Sequence, residues 1–213
     1  MAYIDRAEAW KVYMPRFRQQ AGAFTELFAE AEKENEPFRK ALRFIAAQNF
    51  SRSADFQNAD IFGQLLHPEK MNVEFAAVRS SLAKLPGLLD SARRNASVYI
   101  ECPGDFEASV ATAFSREFSA LGFPVANFAS AASAVCRVTI TEGMQHRELG
   151  IFYHPSLQAV ISANKDSTVL FAFSAEGERA SAVTADVAKR RAYQSLADKV
   201  KEKFRAEFSV QSF

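Results

Sequence analysis

Residues 97–126 are the stretch around which the rest of the chain is organised, and they begin with alternating apolar and polar residues. Val98, Ile100 and Cys102 fall on one face of an extended chain, whereas Tyr99 and Glu101 fall on the other. A side-chain period of two with one apolar face is typical of a strand that buries one side. The pattern therefore predicts a half-buried strand at the start of this stretch.

The period becomes helical directly after this strand. Pro103 and Gly104 break the strand, and Asp105 is placed to cap a helix by accepting a hydrogen bond from a free amide of its first turn. Residues 123–128 follow as a weaker strand, and if this strand pairs in parallel with the first, the crossover between them should be right-handed. The apolar residues of the helix recur at spacings of three and four: Phe106, Val110, Phe114, Phe118 and Leu121.

Further strands and a final helix follow this unit. Residues 135–141 alternate again and predict a strand, whereas residues 142–155 show no clear pattern. Residues 157–163 and 168–174 flank the polar turn NKDS, which is typical of an antiparallel hairpin. A last amphipathic helix begins near residue 184. The sheet is therefore predicted to be mixed.

The first 95 residues have a helical period throughout. Pro15 should kink or split the first helix near Tyr13, because proline removes an amide donor and clashes with the preceding turn. The apolar stripe of this helix favours packing on helices of the same chain, but pairing with a second chain through residues 3–31 stays open. The stripe follows alternating steps of four and three: Tyr3, Ala7, Trp10, Met14, Phe17, Ala21, Phe24, Phe28 and Ala31.

Two more long helices are predicted before the sheet. One covers residues 37–49, and the other covers residues 68–94 with an irregularity at residues 86–87. Residues 51–60 are predicted to be a polar connection, followed by a short helix at residues 61–66.

These elements predict an α+β protein with two regions. Residues 1–95 form a helical hairpin or small bundle, and residues 96–213 form a small mixed-sheet domain with two helices packed on it. The predicted order in the second region is β-α-β-β-β-β-α.

Composition restricts the function classes. The chain has 213 residues, of which 48% are hydrophobic, so it can build a real core. Its 26 basic and 25 acidic residues leave a net charge of +1, which argues against a nucleic-acid partner. No apolar run approaches the roughly 20 residues that span a bilayer, so this chain is predicted to be soluble.

The two cysteines are too few for a disulfide scaffold and are not spaced for a zinc site. Cys102 and Cys136 both lie on the apolar side of predicted strands. We interpret them as buried free thiols that act as small apolar residues. The alternative is a cross-strand disulfide, which requires adjacent strands, matching register and an oxidising compartment.

The sequence patterns of common catalytic sites are missing. The chain has no glycine-rich phosphate loop, no nucleophile elbow and no paired-cysteine redox motif. His146, Glu148 and His154 lie within nine residues but lack the helical spacing of a metalloprotease site. We therefore predict no catalytic residue, no cofactor and no metal site, and a protein that is not an enzyme.

Four segments of the chain resemble the spirochaete-type branch of the Lpp-twenty-type cell-envelope lipoproteins: AYIDRAEAWKVY, LLDSARRNASVYIEC, AVCRVTIT and ADVAKRRAYQSLADKVKEKF. The sheet region is also similar, at the level of fold, to the amino-terminal region of TolB and to the lipoproteins that activate penicillin-binding proteins. The resemblance implies a periplasmic location, with a lipidated cysteine before this region tethering the full-length protein to the membrane.

This resemblance and the missing chemistry favour a non-catalytic envelope adaptor or regulatory module that binds another envelope protein. Exposed aromatic and arginine side chains are the usual hot spots of such surfaces, and Trp10, Tyr13, Tyr153 and Arg191 are the candidate protein-binding residues. The alternatives are a coiled-coil oligomerisation or structural protein and, with less support, a small-ligand or metal-binding protein.

Overall fold

The computed structural model describes residues 5–147 and 150–210, which divide into two compact units. The helical unit contains residues 5–35 and 39–92. The sheet unit contains residues 36–38 and 93–210. The fold is α+β, as the sequence predicts.

The described residues before the sheet form five helices: α1 (Arg6–Lys33), α2 (Pro37–Ser51), α3 (Ala54–Leu66), α4 (Pro68–Glu74) and α5 (Ala76–Asn95). The Asp5 carboxylate caps α1 by accepting hydrogen bonds from the amides of Ala7 and Glu8. The α1 helix is one element through Pro15, so it is not split near Tyr13. Tyr3 lies outside the described residues.

The polar connection predicted at residues 51–60 is wrong. The Ser53 hydroxyl caps α3 by accepting a hydrogen bond from the Phe56 amide at 3.3 Å, and the helix already begins at Ala54. Among residues 54–60 only Phe56 is buried, with its side chain 3% exposed. The polar residues around it lie on the outer side of the helix, which is why this segment has the composition of a loop. The predicted helix over 68–94 is interrupted at Phe75, which is buried.

Helices α1 and α3 run antiparallel. Phe56 near the start of α3 contacts Phe24, with ring centroids 5.6 Å apart. Phe62 near the end of α3 stacks on Tyr13, which lies more than two turns earlier in α1, with centroids 5.2 Å apart. The buried aromatic residues between these contacts form the core of the helical unit.

The sheet unit contains the strands β1 (Val98–Glu101), β2 (Ala134–Arg147), β3 (Gly150–Ala163), β4 (Val169–Glu176) and β5 (Ala180–Ala182), and the helices α6 (Ser109–Ala120) and α7 (Ala185–Val210). The strand order is β1-β2-β3-β4, and β5 pairs with the first part of β3. Strand β1 is parallel to β2, and the other pairs are antiparallel. The sheet is mixed, as predicted.

Two details of the predicted sheet differ from the structure. Residues 123–128 form only a single parallel bridge, between Val98 and Val125, because Phe123 turns into the core and contacts Phe118 and Phe208 instead of continuing a strand. The unclear residues 142–155 form the outer part of the β2–β3 hairpin.

Phe204 on α7 is the centre of the sheet-unit core. Its ring is fully buried and lies between α6, the sheet and the next turn of its own helix. Edge-to-face contacts dominate this cluster, as is usual for aromatic pairs. Five rings lie within 5.1–5.7 Å of the Phe204 centroid: Phe114, Phe118, Phe171, Phe173 and Phe208.

We predict that Phe204→Ala and Phe114→Ala each lower the free energy of unfolding by about 3–5 kcal/mol, because each removes a fully buried ring. Urea denaturation measures this loss. Phe128→Ala is the control, since the Phe128 side chain is 70% exposed and its removal should change stability by less than about 0.5 kcal/mol. Equal effects of the three changes would contradict the packing described here.

Candidate functional site

Large apolar side chains are exposed together on α1 and α3. We call the set Trp10, Tyr13, Ile61, Phe62 and Leu65 the helical tip patch. Tyr13 is 37% exposed although it stacks on Phe62, which is itself 44% exposed. Ile61 and Leu65 are 55% and 64% exposed and lie four residues apart on one side of α3. Exposed apolar side chains that adjoin in this way commonly mark an interaction surface.

Trp10 extends the helical tip patch along α1. Its ring meets the His67 ring edge to face, with centroids 5.1 Å apart. The Lys70 ammonium lies 5.8 Å from the centre of the Trp10 ring, within the range of a cation–π contact. These contacts hold the indole in place while leaving it partly exposed.

A shallow groove adjoins the helical tip patch between α1 and α3. Arg16 and Gln20 of α1 and Asp55 and Asn58 of α3 contribute polar groups to it, and Tyr13 and Phe62 close one end. The arrangement places aromatic rings beside hydrogen-bonding and charged groups, which is the usual composition of a protein-binding surface.

The α3 part of the helical tip patch is not evident from the sequence. The sequence predicts a short helix at residues 61–66 but does not indicate which of its side chains are exposed. The buried face of α3 is formed by Phe56 and Gly63, and a Cβ atom on Gly63 would lie only 2.5 Å from the Met71 side chain. This close approach fixes the rotation of α3 and leaves Ile61, Phe62 and Leu65 outside.

The other two candidate protein-binding residues lie in the sheet unit. Tyr153 is only 7% exposed and packs on Ala188 and Ala192, so the exposure expected of it is wrong. Its position in β3 faces α7, which covers the ring. Arg191 is exposed, and its guanidinium donates a hydrogen bond to the Ser181 carbonyl at 3.2 Å.

Most residues of the apolar stripe of α1 pack against other residues of the same chain. Met14, Phe17, Ala21, Phe24, Phe28 and Ala31 are all buried. A second chain could reach this stripe only by displacing the helices that cover it. From Met14 onward the stripe therefore serves the core of the helical unit, whereas Ala7 is exposed and Trp10 is partly exposed.

A connected polar cluster of the sheet unit joins Tyr193, Glu142 and Lys189. The Tyr193 hydroxyl donates to the Glu142 carboxylate, and the Lys189 ammonium lies 2.7 Å from the same carboxylate. Burial opposes ionisation of Glu142, but the hydrogen bonds from Lys189 and Tyr193 and the positive charge of Lys189 outweigh it, so its pKa is lowered. Burial, followed by the Glu142 contact, raises the pKa of Tyr193. The hydrogen-bonding groups of these three side chains are therefore engaged with one another.

The histidines of the β2–β3 hairpin lie on opposite faces of the sheet. His154 is paired with Gly143, which is three residues from His146, and an odd offset reverses the side-chain direction. The two imidazoles therefore cannot hold one ion. Glu148, the remaining acidic residue of that sequence cluster, lies outside the described residues. Elsewhere in the described part of the chain, no group of three His, Cys, Asp or Glu residues is arranged to bind a metal.

Both cysteines are free thiols, but only Cys136 is buried as predicted; Cys102 is partly exposed, so the full burial predicted for it is wrong. Cys136 is paired with Ile100 in the parallel β1–β2 ladder, so Cys102 lies two residues beyond it. This offset of about 6.6 Å along the strand, with about 4.8 Å between strands, gives a Cα separation of about 8 Å. A disulfide requires less than about 7 Å, so the alternative of a cross-strand disulfide does not fit this register.

Among the described residues, none of the helices is both long and apolar enough to cross a membrane.

Comparison with known proteins does not define a family for this chain. No protein-family model and no curated protein matches it. The minor lipoprotein of Acinetobacter baumannii is 14% identical, with a TM-score of 0.36, over 53% of this chain and 92% of that protein. Lipoprotein GNA1162 of Neisseria meningitidis is also 14% identical, with a TM-score of 0.36, over 55% of this chain and 99% of that protein. Both are bacterial lipoproteins.

The thiols provide a test of the sheet-unit geometry. Burial raises the pKa of Cys136 to about 12, with a further contribution from Cys102, and burial together with the Asp105 charge raises that of Cys102 to about 12. We predict slow alkylation of both thiols by iodoacetamide in the native protein at pH 8, because the thiolate is the reactive form. Mass spectrometry after labelling in native buffer and in denaturant measures the difference.

Stability should also fall in alkaline solution. An unfolded thiol ionises near pH 8.5, so the unfolded state loses its proton first and the thiol contribution to folding is lost between about pH 8.5 and 12. Cys136→Ala should reduce this pH dependence relative to the native chain. Rapid native-state labelling of Cys136 would contradict its burial.

Proposed function

We propose that this chain is a non-catalytic protein-binding module of the bacterial cell envelope and that it docks another envelope protein through the helical tip patch. The observation that carries the proposal is the exposure of Tyr13, Phe62 and their aliphatic neighbours on two packed helices. Burial of such side chains at an interface is the main source of binding free energy between proteins.

The charged groups near the helical tip patch support a protein partner. Lys11 and Glu8 lie 2.7 Å apart on α1, and Arg79 and Asp60 lie 3.7 Å apart across the helical unit. Exposed pairs such as these contribute little to stability but form the polar rim that surrounds an apolar contact. They favour a partner with an apolar centre and hydrogen-bonding groups at its margin.

The non-catalytic part of the proposal is supported by how the ionisable groups are used. Glu142, Lys189 and Tyr193 bind one another, and Arg205 is within 3.0 Å of the Glu117 carboxylate. Acid–base catalysis requires groups that converge on a space for substrate. In these clusters the groups converge on each other.

The envelope location is supported by the four sequence segments that resemble the Lpp-twenty-type cell-envelope lipoproteins. From the same resemblance we propose that a lipid anchor before this region tethers the full-length protein to the membrane.

We predict that Tyr13→Ala and Phe62→Ala each weaken partner binding about 30-fold, which corresponds to about 2 kcal/mol for a hot-spot residue. The wild-type chain serves first to isolate a partner from envelope extract. The purified partner is then titrated with each variant by isothermal calorimetry, so that the measured quantity is the dissociation constant of a defined complex.

Phe128→Ala is the matched control, because Phe128 is exposed but lies in the sheet unit. Its affinity should equal that of the wild-type chain, and circular dichroism should show that all three variants fold. A partner that binds Tyr13→Ala and Phe62→Ala as tightly as the wild type would overturn the assignment of the helical tip patch. Turnover of a substrate by the purified chain would overturn the non-catalytic proposal.

A further inference from the structure

The edge strands of the sheet differ in how far their free backbone groups are protected from pairing with another strand. An edge strand presents amide and carbonyl groups that can pair with another strand, so most proteins cover or charge their edges. The β1 edge is covered by residues 124–126: the Val98 amide donates to the Pro124 carbonyl at 2.9 Å, and the Ala126 amide donates to the Val98 carbonyl at 2.8 Å. This contact blocks strand addition beside β1.

The β5 edge is engaged at one position, and the outer part of the β2 edge carries ionisable residues. On β5, the Ser181 carbonyl accepts the hydrogen bond from Arg191. On β2, the residues beyond Arg137 have no partner in β1, but they include the ionisable residues Glu142 and His146. Charged residues on an edge oppose pairing with a further strand because burial would remove them from water.

The described residues place no comparable protection along the outer edge of strand β4. Within the described part of the chain, its only strand neighbour is β3. Of its eight residues only Glu176, the last, is charged, and the strand contains no proline. Ala172 and Ser174 are exposed on the sheet face opposite the helices, because the alternate positions Phe173 and Ala175 are buried. Small neutral side chains leave room for another strand.

We propose that the outer edge of β4 pairs in antiparallel orientation with β4 of a second copy of this chain, with the two-fold axis at Ala172. This register pairs residues 169–175 of β4 with one another and Glu176 with Thr168, the residue before the strand. It places Leu170 opposite Ser174 and Ala172 opposite its own equivalent.

This register avoids like-charge repulsion. In the same register Glu176 lies opposite Thr168 of the second copy, so the strand's only carboxylate does not meet its equivalent. Like charges directly opposite each other destabilise an antiparallel pair, and this register has none between residues 168 and 176. The pairing uses a different surface from the helical tip patch and does not depend on the function of that patch.

The mass of the full chain in solution tests self-association. Light scattering after gel filtration should show a rise from 23.6 kDa towards twice that mass, about 47 kDa, as the concentration increases from the micromolar towards the millimolar range. Ala172→Lys should remain monomeric over the same range, because it places two ammonium groups opposite each other at the axis.

Gln158→Lys is the matched control for charge. Gln158 is exposed on the same sheet face but lies on β3, paired with both Thr139 and Ser174. This variant should dimerise like the wild-type chain. Thermal unfolding checks that both lysine variants retain the native fold.

Oxidative cross-linking tests the register. Directly opposed residues in an antiparallel pair have Cα atoms about 4.5–5.5 Å apart, which suits a disulfide, so Ala172→Cys should cross-link efficiently. Ser174→Cys should cross-link at least 10-fold more slowly, because it lies four residues, about 13 Å, from its equivalent. The wild-type chain measures the background from its native cysteines.

A monomeric wild-type chain at every concentration, without cross-linking of Ala172→Cys, would overturn the proposal. A dimer that persists in Ala172→Lys would overturn it as well. If such a dimer were instead lost in Tyr13→Ala, self-association would be assigned to the helical tip patch. Efficient cross-linking of Ser174→Cys but not of Ala172→Cys would contradict the register.

Discussion

The sheet unit depends on the burial of one helical stripe against one face of the sheet. Tyr193, Leu196, Val200, Phe204 and Phe208 of α7 are all at most 1% exposed. Removing this much apolar surface from water is the dominant favourable contribution to folding, and edge-to-face ring contacts make the packing specific. Because α7 and α6 occupy one face, the opposite face and the outer strand remain as surfaces.

The polar contacts of the sheet unit stabilise this arrangement. Asp105 accepts hydrogen bonds from the amides of Val110 and Ala111 and so satisfies donors at the start of α6. Glu117 is 7% exposed and is matched by Arg205 across α6 and α7, which offsets the cost of burying its charge. Asp105 and Glu117 are therefore engaged in holding the helices.

The helical unit differs from the sheet unit because some of its aromatic side chains are exposed. Its core uses the middle and end of the α1 stripe, while the aromatic residues at the start of α1 meet the outer side of α3. Tyr13 and Phe62 stabilise each other by stacking, so the apolar surface is held in a fixed geometry before any partner arrives. A preformed surface loses less conformational entropy on binding than a flexible one.

The sequence by itself determined the α+β class, the long first helix, the crossover helix, the 157–174 hairpin and the last helix, because period and capping residues are local signals. Trp10 and Tyr13 were also identified as candidates from residue type. Only the tertiary structure decided that Tyr153 is covered by α7, that residues 54–60 are helical around one buried ring, and that 123–128 is not a strand. It also decided which faces stay exposed: the contact between Gly63 and Met71 orients Phe62, and strand register separates His146 from His154. Exposure and register depend on contacts between residues far apart in the chain, which no local pattern contains.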